Sequence, residues 1–190
     1  DDAAAVEAGR RAADVGYAMF DTWLNYTAVS GLHEFTSPTY TYVQLTALYM
    51  GFIHAARTGA RDRFRQALDL VWADTCANAY APGRGALTGP HSRDYDFLLG
   101  HGMLLMDMYA FGLPGTGPLS CSRDDPHCEG PAAGAAVGTG EPMTVLAVSL
   151  YNLRHPRGYR PPAHLRALAA MPRRVVQSRF LGMGQTANGN

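Results

Sequence analysis

The chain has 190 residues, of which 47% are hydrophobic and 17% charged, and its 16 arginines balance 16 acidic residues. This length and composition suit one globular domain with a buried core, so disorder is excluded for most of the chain. The formal net charge is zero and the basic residues are spread along the sequence, which disfavours nucleic acid and membrane partners. No stretch reaches the roughly 18 to 20 apolar residues that span a bilayer.

The first three predicted elements are helices over residues 3–29, 38–57 and 61–79. Ser37-Pro38 predicts the start of the second helix, because serine is a favourable N-cap and proline suits the first helical position. Gly31 and Gly59 indicate the ends of the first two helices. The third helix has an apolar face, with Trp72 expected in the core. The apolar residues of the first helix recur at helical spacing: Val6, Val15, Met19, Phe20 and Trp23.

A fourth helix is predicted over 95–111 and is apolar on most sides, which is typical of a buried helix. About thirty residues rich in Gly, Pro and Ala follow it, longer than an ordinary connection. Helix is predicted again over 142–152 and 163–170. Residues 174–180 alternate between polar and apolar side chains, a pattern that suits a strand.

Successive helical hairpins predict a mainly α fold. Because the second and fourth helices are the most apolar, we expect an inner and an outer ring of helices, as in part of an (α/α) toroid. A plain helical bundle is the alternative. The predicted domains are a partial toroid over residues 1–172 and the start of a β-rich region, or a tail, over 173–190.

Two short polar motifs precede the second and fourth helices. The first motif is Glu34-Phe35-Thr36-Ser37-Pro38-Thr39-Tyr40, and the second is Gly89-Pro90-His91-Ser92-Arg93-Asp94-Tyr95-Asp96. One helix separates them, so antiparallel packing would bring both motifs to the same end of the fold. We therefore expect the rim of a polar cleft there.

The residue types in the motifs suit β-elimination on a uronate-containing glycan. Arg93 can bind the uronate carboxylate with its planar fork, which makes the C5 proton more acidic. His91 or Tyr95 can then take that proton, while a tyrosine such as Tyr40 protonates the leaving oxygen. Further candidates for substrate contact are Asn25, Tyr42, Gln44 and Asp96.

Two other functions fit the same residues. Glu34 and Asp96 form a carboxylate pair of the kind that glycoside hydrolases use as acid and base. Alternatively, Asp94 and Asp96 only offset a helix dipole, and Glu34 only pairs with Arg93, in a structural or glycan-binding domain without activity. Metal catalysis has little support, because no helical pair of ligands is found, and no phosphate-binding loop or nucleophile elbow occurs. We therefore expect no cofactor.

The cysteines predict an exported protein. Cys121 and Cys128 lie close together in a loop and are predicted to form a disulfide, whereas Cys76 falls within a helix and is expected to be buried and reduced. A metal site that also uses His127 is the weaker alternative. The first residues do not have the pattern of a signal peptide, so we expect that any export signal has been removed or never existed.

The two motifs resemble those of a group of α/α-toroid proteins from fungi, bacteria and algae. The resemblance covers residues 15–110, and the group is similar in layout to polysaccharide lyases that join a helical toroid to an antiparallel β-sandwich. It implies a carbohydrate-directed cleft in a secreted or cell-surface protein, and it carries over to His91, Arg93 and Tyr95. It also implies that further segments of the same protein complete the cleft.

Overall fold

A computed structural model describes residues 2–33, 36–81, 86–87, 141–169, 171 and 175–176 of the chain. The described part is mainly helical, as predicted. Its helices are α1 (Asp2–Ser30), α2 (Pro38–His54), α3 (Ala60–Asn78), α4 (Glu141–Arg154) and α5 (Ala163–Ala169). Two short strands, β1 (Ala79–Ala81) and β2 (Ala86–Leu87), pair antiparallel.

The helix predictions agree closely with the structure where it describes the chain. α2 ends three residues before the predicted residue 57, with Ala55 donating the last helical hydrogen bond to Gly51. The predicted helix over 95–111 lies outside the described residues. The β1–β2 ribbon was not predicted, because a strand of two or three residues leaves no periodic pattern in the sequence.

The predicted strand over 174–180 is not found at the two positions where it can be checked. Val175 and Val176 are described, and neither belongs to a strand. Val175 is fully exposed. Alternation of side chains favours a strand only when a neighbouring strand supplies the backbone hydrogen bonds, so the pattern alone is a weak signal.

The chain divides into two compact units, one of residues 1–33 with 178–190 and one of residues 34–177. In the first unit, α1 is exposed along its N-terminal half and has buried positions only near its C-terminal end, at Leu24, Thr27 and Ser30. Val6, Val15 and Met19, part of the predicted apolar stripe, are each more than half exposed. Phe20 and Trp23 stack on each other with their ring centroids 5.9 Å apart.

The core of the second unit lies between α2 and α3. Trp72 is fully buried, as predicted, and its indole Nε1–H donates to the hydroxyl of Tyr49 over 3.0 Å. Gly51 allows α3 to approach closely, because a Cβ at this position would clash with the ring of Phe64. Burying each large apolar side chain contributes about 1.5 to 3 kcal/mol. The largest fully buried side chains include Trp72, Leu45, Ile53, Leu68, Val71 and Cys76.

α4 is joined to this core through the turn that follows it. The buried side chain of Asn152 accepts from the Tyr159 N–H over 2.8 Å and donates to its carbonyl over 2.9 Å. The Tyr159 hydroxyl donates to Asp69 of α3 over 2.7 Å, and its ring contacts Tyr49 and Phe52 of α2. These bonds fix the turn over residues 155–160 against both central helices.

Candidate functional site

The first motif forms the N-terminal end of α2. Ser37 is the N-cap, with φ −80° and ψ 115°, and its hydroxyl oxygen accepts from the backbone N–H of Tyr40 over 3.2 Å. Pro38 begins the helix. Both features confirm the prediction, and they follow from local chemistry: the serine satisfies one of the unpaired N–H groups of the first turn, and proline has none to satisfy.

The residue before the cap is in an unfavourable backbone conformation. Thr36 has φ 51°, in the left-handed region that β-branched residues rarely adopt, and it is only 6% exposed. Such a conformation costs on the order of 1 to 3 kcal/mol and persists where the surroundings fix it, which is common at functional sites. The sequence gives no sign of this strain, because threonine at this position is unremarkable as a residue type.

One predicted catalytic residue, Tyr40, and one predicted substrate-binding residue, Gln44, lie on the first two turns of α2. Tyr40 is half-buried, and Gln44 follows one turn later on the same side of the helix. The Gln44 side-chain Oε1 is buried and accepts no hydrogen bond from the described residues. A buried acceptor without a donor costs about 1 to 3 kcal/mol.

The other described candidates have different surroundings. Tyr42 is only 5% exposed, so its side chain belongs to the core of the second unit. Asn25 is exposed on α1, in the first unit. Their predicted roles in substrate binding stay predictions. The remaining candidates lie outside the described residues: Glu34, His91, Arg93, Tyr95, Asp96, Cys121 and Cys128.

Asp74, which was not among the candidates predicted from the sequence, lies near the C-terminal end of α3. Burial raises the pKa of Asp74 from 3.8 to about 6, and the side chain of Asn78 donates to its Oδ1 over 3.3 Å. The hairpin of α2 and α3 is antiparallel, because Tyr49 contacts Trp72 whereas Gly51 faces Phe64. Asp74 therefore lies towards the end of the hairpin at which α2 begins.

The prediction for Cys76 is confirmed: its thiol is reduced, outside any disulfide, and the residue is 1% exposed. Within the described ranges, no group of three or more His, Cys, Asp or Glu side chains is placed to hold a metal ion. In the same part of the chain, no helix has the length and apolar character needed to cross a membrane.

Comparison with known proteins adds no further information about the site. No protein-family model, no curated protein and no solved structure matches the chain. The functional interpretation therefore depends on the residues and on their geometry.

Proposed function

We propose that the protein is a carbohydrate-active, polysaccharide lyase-like protein that cleaves a uronate-containing glycan by β-elimination at the start of α2. The observation that carries this proposal is the first motif itself: a strained, buried Thr36 and a buried N-cap precede a half-buried Tyr40 and a Gln44 amide oxygen that accepts no hydrogen bond from the described residues. Strained residues of this kind cluster at functional sites, which supports a site at this helix start.

In the proposed reaction, Arg93 binds the uronate carboxylate and His91 or Tyr95 removes the C5 proton. The C4–O bond breaks as the C4=C5 double bond forms, and Tyr40 gives its proton to the leaving oxygen. The Gln44 oxygen accepts from a sugar hydroxyl. Water is not consumed, so the product carries an unsaturated uronate and one new reducing end.

The proposal also covers the arrangement of the helices, the pairing of the cysteines and the export of the protein. We propose that the helical hairpins form part of an (α/α) toroid, that a Cys121–Cys128 disulfide is present, and that the protein is exported. The buried, reduced Cys76 fits a protein in which only Cys121 and Cys128 are oxidised to a disulfide.

The direct test incubates the full-length protein with uronate polymers and follows the ultraviolet absorbance of the unsaturated product. Tyr40→Phe should lower kcat by a factor of about 100 or more, because it removes the proton donor to the leaving group. Tyr26→Phe is the matched control, since it removes an exposed phenol on α1 and should leave kcat unchanged. New reducing ends without this absorbance would contradict the lyase mechanism and favour a hydrolase that uses Glu34 and Asp96. No product from a broad panel would overturn enzymatic activity and favour a structural or glycan-binding domain.

A further inference from the structure

At the opposite end of α2, the fold gathers basic and aromatic side chains that are distant in the sequence. Residues 54–65 and 151–160 contain seven of the 16 arginines and a single acidic residue, Asp62. The guanidinium of Arg61 at the start of α3 donates to the Arg157 carbonyl over 3.0 Å, which joins the two segments. We call this the basic surface, and it consists of His54, Arg61, Tyr151, Arg154, His155 and Arg157.

Three rings form the centre of the basic surface. Tyr151 and His54 are nearly parallel, with centroids 5.8 Å apart, and the Tyr151 hydroxyl lies 3.1 Å from His54 Nε2. The ring of His155 lies 5.3 Å from Tyr151 and 6.1 Å from His54. Tyr151 is 40% exposed although it is a large aromatic residue. The rings therefore offer an accessible flat surface, of the kind that suits the apolar face of a sugar ring.

The hydrogen bonds of His155 determine what this ring can bind. Its Nδ1 accepts from the backbone N–H of Arg157 over 3.1 Å, so in the neutral ring the proton is on Nε2. A protonated Nε2 cannot bind a metal ion, but it can donate a hydrogen bond to an anion. The ring thus favours an oxyanion over a cation.

The arginines differ in whether their guanidinium groups are already engaged. Arg61 lies over the Phe52 ring at 4.4 Å and bonds to the Arg157 carbonyl, and Arg160 donates to carbonyls at the end of α4. Arg154 and Arg157 are exposed, and within the described part of the chain their guanidinium groups make no hydrogen bond or ion pair. Arg154 is one helical turn from Tyr151, so a free cation lies beside the exposed ring.

We propose that the basic surface binds an acidic sugar residue, with the Arg154 and Arg157 guanidinium groups on its sulfate or carboxylate and Tyr151 against its ring. Arginine binds either oxyanion in bidentate fashion. A nucleic acid is the less favoured ligand, because the Arg154 and Arg157 guanidinium groups, which have no partner among the described residues, offer few phosphate contacts on a chain of zero net charge. This site is separate from the proposed catalytic site and requires no turnover.

Calorimetric titration at low salt tests the proposal. The probes are a heparin-derived tetrasaccharide, an oligogalacturonate of the same length, neutral maltotetraose and inorganic sulfate. We expect an acidic tetrasaccharide to bind and maltotetraose not to bind. The difference in Kd between the heparin-derived tetrasaccharide and the oligogalacturonate shows whether the surface prefers sulfate or carboxylate. Arg154→Gln/Arg157→Gln should raise Kd about tenfold or more, because it removes charged hydrogen bonds. Tyr151→Ala should weaken binding of the tetrasaccharide and leave that of inorganic sulfate unchanged.

The matched control is Arg10→Gln/Arg11→Gln, which removes the same charge from exposed positions on α1 and should change Kd less than twofold. Equal weakening of tetrasaccharide binding by the two double variants would overturn the proposal, because it would show that affinity depends on the net charge of the protein and not on the basic surface. Tighter binding of a single-stranded oligonucleotide with as many negative charges would also overturn it, in favour of nucleic acid. Tyr40→Phe should retain the binding, so loss of the proposed catalysis and loss of this site are distinguishable.

Discussion

The two ends of α2 differ in how they are built. At the start, Thr36 and Ser37 are buried, Thr36 is strained, Ser37 caps the helix, and the Gln44 amide oxygen accepts no hydrogen bond from the described residues. The end is exposed, and its charges come from segments about a hundred residues apart, as the bond between Arg61 and Arg157 shows. At about 1.5 Å per residue the 17 residues of α2 hold these regions roughly 25 Å apart. One helix therefore supports a site of fixed geometry at one end and a surface for electrostatic attraction at the other.

The largest expected effect concerns the turn that holds the basic surface together. Asn152→Ala should lower the free energy of unfolding by about 2 to 4 kcal/mol, because it leaves the buried N–H of Tyr159 without its acceptor and removes one of the two donors to the Tyr159 carbonyl, the other being Arg160. Urea denaturation measures the change. Tyr159→Phe, which retains both backbone bonds and loses only the hydroxyl bond to Asp69, should cost less. A larger loss for Tyr159→Phe would contradict the role given to Asn152.

A second prediction concerns Asp74, whose pKa burial raises to about 6 in the folded protein. The folded state then binds more protons than the unfolded state between about pH 4 and 6, so stability falls as the pH rises through this range. Asp74→Asn should remove this dependence and stabilise the protein at pH 7.5 by up to about 3 kcal/mol. Urea unfolding of both proteins at pH 4.5 and 7.5 gives the comparison. An unchanged pH slope in the variant would show that another group is responsible.

A smaller effect is expected at the start of α2. Ser37→Ala should cost about 1 to 2 kcal/mol, because the Tyr40 N–H loses its acceptor within a buried helix start. Thr22→Ala serves as the control, since its hydroxyl bonds within exposed α1 and its loss should change stability by less than about 0.5 kcal/mol. Thermal unfolding of both variants measures the difference. Similar effects at the two positions would mean that the cap does not stabilise α2.

The contrast between the two ends also shows what the sequence could predict. The cap at Ser37, the approximate bounds of the described helices and the burial of Trp72 and Cys76 follow from local preferences and apolar periodicity, and the structure confirms them. The strain at Thr36 depends on surroundings that no short pattern encodes. The basic surface was missed because the arginines are spread along the chain, and only the packing of α2, α3 and α4 gathers them.

Most of the candidate catalytic residues lie outside the described part of the chain, so the convergence of the two motifs stays a prediction. It depends on residues 34–40 and 89–96 meeting at one end of the helical hairpins. A cysteine pair introduced at Tyr40 and Tyr95 is a direct check, since oxidation would join them only if their Cα atoms approach within about 7 Å.

The most direct test of the account measures turnover and binding on the same two variants. Tyr40→Phe should lose product formation from uronate polymers and retain the affinity for the acidic tetrasaccharide. Arg154→Gln/Arg157→Gln should show the reverse, with weakened tetrasaccharide binding and an unchanged kcat at saturating polymer. If both variants lost the same property, or if Tyr40→Phe kept full turnover, the division of roles between the two ends of α2 would be wrong.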